Sequence, residues 1–152
     1  MSKVKPAIQY KENVFYRAGY KYQLAADYSI DTPFRPKEDI VLEFIELTTE
    51  GRLTLKSGYA SDGPSGPTRD TPDSIRGAFV HDGIYELIRC GKLPAKARFV
   101  ADKMAYRIWL EDGMGKIKAW IWYRSIRRFA GFAADPENKK KVLSAPTPSL
   151  AG

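Results

Sequence analysis

The chain has a single cysteine, Cys90, and a single histidine, His81, in 152 residues. A lone cysteine excludes an internal disulfide. Together with the lone histidine it also excludes the Cys- and His-rich sets that hold zinc. Any metal here must be held by oxygen, which points to calcium or magnesium. No stretch approaches the ~20 apolar residues of a membrane-spanning helix. The start, Met1-Ser2-Lys3-Val4-Lys5-Pro6, carries no apolar segment of the signal-peptide kind. The expectation is a soluble chain made in the cytosol, with release by lysis or virion assembly left open. There are no internal repeats. A loop rich in Gly, Ser and Pro lacks the spacing and the Lys-Ser/Thr ending of a P-loop.

Hydrophobic residues make up 43% of the chain and charged residues 28%, so a packed globular domain is expected rather than a disordered chain. A chain of this length forms one domain and buries roughly 70% of its unfolded surface. The net charge of +7 favours an acidic partner such as anionic lipid or nucleic acid, or is simply a basic solvated surface.

The first 60 residues read as β structure. Val14-Phe15-Tyr16 and Tyr20 to Leu24 flank Arg17-Ala18-Gly19, which predicts a hairpin. Asp31-Thr32-Pro33-Phe34-Arg35-Pro36 is a loop, because two prolines cannot continue a ladder. Ile40 to Leu47 reads as one strand, turned at Thr49-Glu50-Gly51 and answered by Leu53-Thr54-Leu55. Leu53 and Leu55 alternate with Arg52, Thr54 and Lys56, so one face of this strand should be buried. Residues 61 to 72 then form a long Pro- and Gly-rich loop.

Beyond that loop the period becomes helical. Thr71 is placed to cap a helix with Pro72 at its first position, running to about Cys90 and ended by Gly91. Pro94-Ala95 opens a second helix to about Glu111. Asp112-Gly113-Met114-Gly115 breaks it, and Lys116 to Ala130 is a third. The segment 134–152, with Lys139-Lys140-Lys141 and Ser144-Ala145-Pro146-Thr147-Pro148-Ser149, reads as a tail that is disordered alone and ordered only within an assembly. The fold class is α+β: an N-terminal antiparallel β-sheet, a three-helix segment and an extended C-terminal tail, with residues 1–133 as one domain.

His81 is the focus of the chemistry, since histidine titrates near neutral pH. It shares a helix face with Gly77, Ala78, Ile84 and Tyr85, and the two small residues leave space above the imidazole for another element or a ligand. Asp82 points about 100° away around the helix, better placed to serve the preceding Asp62–Pro67 loop or a bound cation than to orient His81. Asp102 lies in an apolar stripe with Phe99, Ala105, Tyr106 and Trp109, where an unpaired carboxylate is costly. The hinge at Gly91 to Pro94 lies about midway between His81 and Asp102, and helices joined so closely pack antiparallel. Asp102 is therefore expected on one nitrogen of His81, with the other nitrogen facing the small-residue gap and the glycine-rich loop. Two outcomes follow from this pairing. Asp102 and Tyr85 orient His81 as a base for water, or the three form a polar network that holds two helices together. The loop Asp62-Gly63-Pro64-Ser65-Gly66-Pro67 supplies Asp62, Gly63, Ser65 and Gly66 as candidate substrate-binding residues, or is a plain turn.

The ordered set Gly58-Tyr59, Ser61-Asp62-Gly63, Ser65, Ala78, His81-Asp82, Tyr85 and Ala101-Asp102, spanning about residues 40 to 130, resembles the phage and prophage family called domain of unknown function 1353. That resemblance implies a phage-encoded protein, made in the host cytoplasm and found among structural and lysis proteins. The run of a glycine-rich loop, His81-Asp82-x-x-Tyr85 and an Asp on an antiparallel helix is also similar to the secreted phospholipases A2 over about 45 residues. This second resemblance implies His81 as the general base for water, held by Tyr85 and Asp102. It also implies calcium on Asp82 and on carbonyls around Gly63 and Gly66. Those enzymes depend on disulfides, which this chain lacks, and they have no counterpart to its β portion.

The third helix carries Lys116, Lys118, Arg124, Arg127 and Arg128 among Trp120, Trp122 and Tyr123. Lys118, Arg124, Arg127 and Arg128 form a candidate surface for anionic lipid, or an ordinary solvated face opposite an apolar one in the core. No nucleic-acid-binding motif is present. Two function classes follow. One is a His/Asp hydrolase, a phospholipase-like esterase acting on the cell envelope. The other is a virion component of the tail or neck region, whose partners are other virion proteins or copies of itself.

Overall fold

The computed structural model describes residues 14–16, 22–61, 71–129 and 143–145. The chain divides into two compact units, Met1–Gly19 with Lys140–Gly152 and Tyr20–Lys139. In the first unit, strand β1 (Val14–Tyr16) pairs antiparallel with β8 (Leu143–Ala145), with Phe15 opposite Ser144. Part of the Pro/Ser/Lys-rich tail is thus a strand.

In the second unit, β2 (Tyr22–Gln23) pairs with β7 (Ala60–Ser61). The bend expected at Arg17-Ala18-Gly19 lies outside the described residues; among the described residues β1 and β2 each pair with a strand distant in sequence and not with each other. Alternation reports which face of a strand is buried, not which strand lies beside it.

Four further strands form an antiparallel sheet in the order β3-β6-β5-β4: β3 (Tyr28–Asp31), β6 (Arg52–Leu55), β5 (Ile45–Leu47) and β4 (Ile40–Val41). Residues 40 to 47, read as one strand, are a tight hairpin. Ile40 faces Leu47 and Val41 faces Glu46, and Leu42 N–H donates to the Ile45 carbonyl at 2.8 Å. The reason lies in the pattern: the inward set is Ile40 and Leu42, then shifts phase to Ile45 and Leu47, while Val41 stays 66% exposed. The turn at Thr49-Glu50-Gly51 is as expected. Gly51 has φ 92, and a Cβ there would lie 2.4 Å from the Thr32 carbonyl oxygen, so only glycine fits. Leu53 and Leu55 are fully buried, as their alternation requires.

The helices are α1 (Pro72–Arg89), α2 (Ala97–Glu111) and α3 (Lys116–Phe129). Thr71 opens α1 as expected: its N–H donates to Ser74 Oγ at 3.1 Å and its carbonyl accepts the Ser74 N–H at 2.9 Å. Gly91, at φ 71, follows the end of α1. The second helix begins later than Pro94-Ala95, because Pro94 to Ala97 is spent on a turn closed by Ala97 N–H to the Pro94 carbonyl at 2.9 Å. With the sheet preceding the three helices, the chain is an α+β protein.

α1 is the central element. Its Gly83 lies against Leu55 of β6, and its Gly77 against Trp109 of α2. One core therefore runs from Ile45, Leu47, Leu53 and Leu55 through Val80, Ile84 and Leu87 to Ala101, Ala105 and Trp109, and on to Ala119, Trp122 and Ile126. At its edge Arg76 of α1 reaches both carboxylate oxygens of Asp112, Glu111 Oε2 at 2.9 Å and the Tyr28 hydroxyl at 2.9 Å. This joins the start of α1 to the end of α2 and to β3. Among the described residues no helix is long and apolar enough to cross a membrane.

Candidate functional site

Asp102 of α2 is completely buried, and everything around it donates. Its Oδ1 accepts from His81 Nε2 at 2.7 Å and from the Tyr85 hydroxyl at 2.6 Å. Its Oδ2 accepts from Arg127 Nη1 at 2.7 Å, and Arg98 Nε stands 4.0 Å away. The pairing of His81 with Asp102 across the α1–α2 hinge is the one expected from their spacing. Because the hydroxyl and the guanidinium also donate, the carboxylate is ionised, and the Nε2 hydrogen belongs to His81.

Burial drives Asp102 upward, but bonds from His81, Tyr85 and Arg127 outweigh it and hold its pKa below the usual 3.8. Burial likewise pulls His81 down, and the hydrogen bond to Asp102 with the charges of Asp82 and Asp102 more than offsets it, so its pKa lies above 6.5. For Tyr85, burial and Asp102 act together and keep the phenol protonated. The Tyr85 ring lies on the imidazole with centroids 4.0 Å apart.

The other imidazole nitrogen, Nδ1, faces Asp82 Oδ1 at 3.7 Å, beyond hydrogen-bond length. The second oxygen of Asp82 accepts the Ser61 hydroxyl of β7, at the edge of the loop. Asp82 thus meets β7 at Ser61, and the loop it was expected to serve, Asp62–Pro67, lies outside the described residues. Asp82 also comes nearer to His81 than its angle around the helix alone indicates. The His81 side chain is only 7% exposed and that of Asp82 33%, so solvent meets this site at Asp82.

Of the two occupants expected for the space at Gly77, another element or a ligand, it is another element that fills it. A Cβ on Gly77 would lie 2.6 Å from Trp109 Nε1, and that indole donates to the Ser74 carbonyl at 3.0 Å. The glycine admits the tryptophan of α2, so its small size serves helix packing. Asp62, Gly63, Ser65 and Gly66 lie outside the described residues.

Two residues of the site were not anticipated as such. Arg127, counted with the basic surface of α3, turns inward to Asp102. Arg98 donates Nε to the Tyr85 hydroxyl at 3.0 Å and Nη2 to the carbonyls of Ile126 and Arg127 at the end of α3. The available signal was the buried acid itself, which requires cations within reach. Of the remaining basic residues on that surface, Lys118 stands 3.9 Å from Asp73 and 5.0 Å over the Trp122 ring. Arg124 lies over the Trp120 ring, and Arg128 is exposed.

Calcium takes six to eight oxygens. Among the described residues no three His, Cys, Asp or Glu side chains gather as ligands, and Asp82 already accepts from Ser61. The implied carbonyls at Gly63 and Gly66 lie outside the described residues. A shallow open cleft lined by Pro36, Asp39, Ile40, Val41 and Lys92 contains none of the site residues. No family model, curated protein or solved structure matches the chain.

Proposed function

We propose that this chain is a His/Asp hydrolase of ester bonds, phage-encoded and acting on lipid esters of the cell envelope. The observation that carries the reading is the asymmetry of His81. Its Nε2 is held by a buried carboxylate, while Nδ1 points to the side where Asp82 meets solvent. That is the arrangement a general base needs, with one nitrogen fixing the ring and the other left to take a proton. In the neutral imidazole, Nδ1 removes a proton from water. The water oxygen bonds to the ester carbonyl carbon, the bond to the alcohol oxygen breaks, and the imidazolium returns the proton to the leaving alkoxide. Asp102 offsets the imidazolium charge, and Tyr85 and Arg127 hold Asp102. No step is routed through a metal.

A second reading, a virion tail or neck component, is favoured by Arg98 and Arg127. They tie the same carboxylate to α3, which a water-activating pair does not require. In that case the His/Asp/Tyr set only pins helices. Purified full-length protein and its His81→Asn variant are tested on phosphatidylglycerol vesicles and on a soluble nitrophenyl ester, with and without added calcium. Circular dichroism confirms the fold. The hydrolase reading requires turnover by the wild type and a loss of about 100-fold or more in the folded variant. No turnover by the wild type, or equal rates, leaves the structural account.

A further inference from the structure

The apolar residues of α3 do not all enter the core. Ala119, Trp122 and Ile126 do, but Ile117 is 78% exposed, Trp120 50% and Ile121 55%. These three lie at i, i+3 and i+4 and share one face with the exposed residues Lys116, Arg124 and Arg128. Three bulky apolar side chains side by side in water form a contiguous patch and not scattered exposure. The patch is braced from behind: Trp120 packs on Tyr106 of α2 and on Tyr123, and the Arg124 guanidinium lies 5.8 Å over the Trp120 ring. Phe99, 47% exposed on α2, extends the surface under Arg127 and Lys103. α3 carries five basic and no acidic residues.

We infer that this face of α3 docks the protein on an anionic lipid surface, with Ile117, Trp120 and Ile121 below the headgroups and Lys116 and Arg124 at the phosphates. The choice of occupant follows from the mixture. A nucleic-acid backbone matches the cations but offers nothing to two bare isoleucines. A second copy meeting the same helix across a two-fold axis would set basic face against basic face. A bilayer interface accepts both halves, since tryptophan resides at the headgroup level and basic side chains reach the anionic phosphates. The surface differs from the one read in the sequence, because Lys118 and Arg127 turn to Asp73 and Asp102. The inference concerns binding alone and is independent of ester hydrolysis.

The test mixes full-length protein with vesicles of phosphatidylglycerol in phosphatidylcholine, and with phosphatidylcholine alone. It follows co-sedimentation and tryptophan emission. Trp109 and Trp122 are buried, so an emission shift reports Trp120. Binding to the anionic vesicles with a blue shift is expected, weakened about tenfold or more by high salt or by omitting the anionic lipid. The Ile117→Asp/Ile121→Asp variant, changed only at exposed positions, should keep its melting temperature and lose about tenfold or more in partitioning. Failure of the wild type to bind anionic vesicles, or equal binding by the folded double variant, overturns the inference. So does a dimer that the double variant dissolves, or a complex with duplex DNA in the absence of vesicle binding.

Discussion

Replacing Asp102 with asparagine keeps the shape of the side chain and removes its charge. Removing one member of a buried ion pair costs about 3–5 kcal/mol, since the partner is left uncompensated. Two features of the site select the lower end. Arg127 is about one-third exposed and can turn its charge to water. His81 is nearly buried, yet it can shed its proton instead of remaining a bare cation. The new amide also presents hydrogens to at least one donor it replaces, which leaves that donor without an acceptor. The expected loss is about 3 kcal/mol, or about 6–12 °C of melting temperature for a domain of this size. Thermal melts by circular dichroism and urea titrations near neutral pH measure it. A decrease of under about 2 °C would refute the reasoning that Asp102 holds the helices by its charge.

The two helix glycines of α1 should differ in their response to mutation to alanine. Gly77→Ala gains about 1 kcal/mol of helix propensity but drives a methyl into the Trp109 indole and toward the Ala105 carbonyl, so a net loss of about 1–3 kcal/mol is expected. Gly83→Ala meets only the far end of the Leu55 side chain, which can turn, and should change stability by less than about 1 kcal/mol; equal effects in denaturant titrations would contradict this. The folded pKa of Asp102 lies below 3.8, so its stabilisation is present above that value and lost as pH falls through the folded pKa. The stability gap between wild type and Asp102→Asn should therefore shrink between about pH 4 and about pH 2, and a constant gap would count against it. Arg76→Lys loses the forked contact with Asp112 at a site one-third exposed, so a loss of about 1 kcal/mol is expected in the same titrations; no loss would show that the contact is screened away.

Several features were readable from residue type and spacing alone. The Leu53/Leu55 alternation marked the buried face of β6. Thr71-Pro72 and Gly91 bracketed α1, and the distances of His81 and Asp102 from the hinge placed them opposite each other. Each depends on local chemistry or on one short connection. What escaped depends on contacts that spacing does not encode. The partner of β1 lies near the far end of the chain, and nothing in Val14-Phe15-Tyr16 names it. The hairpin between β4 and β5 was hidden by a run of apolar residues, although the phase shift between Leu42 and Ile45 was there to be seen. Gly77 read as room for another element or a ligand, because a missing side chain does not say which of the two approaches; it is Trp109 of α2. Arg127 stood among surface cations, and only the assembled helices show that it borders the Ala119–Ile126 side of α3 and reaches Asp102.

Arg98 and Arg127 also bear on the order in which the helices come together. The α1–α2 hairpin is local and can close early, since its connection is short. Closing it alone carries an ionised carboxylate out of water with only His81, Tyr85 and Arg98 beside it. One of its two oxygens, Oδ2, waits for Arg127, and Arg98 waits for the carbonyls at the end of α3. α3 therefore completes the desolvation of Asp102 rather than adding to a finished pair. The three helices are therefore expected to unfold in one cooperative step and not to peel apart one at a time.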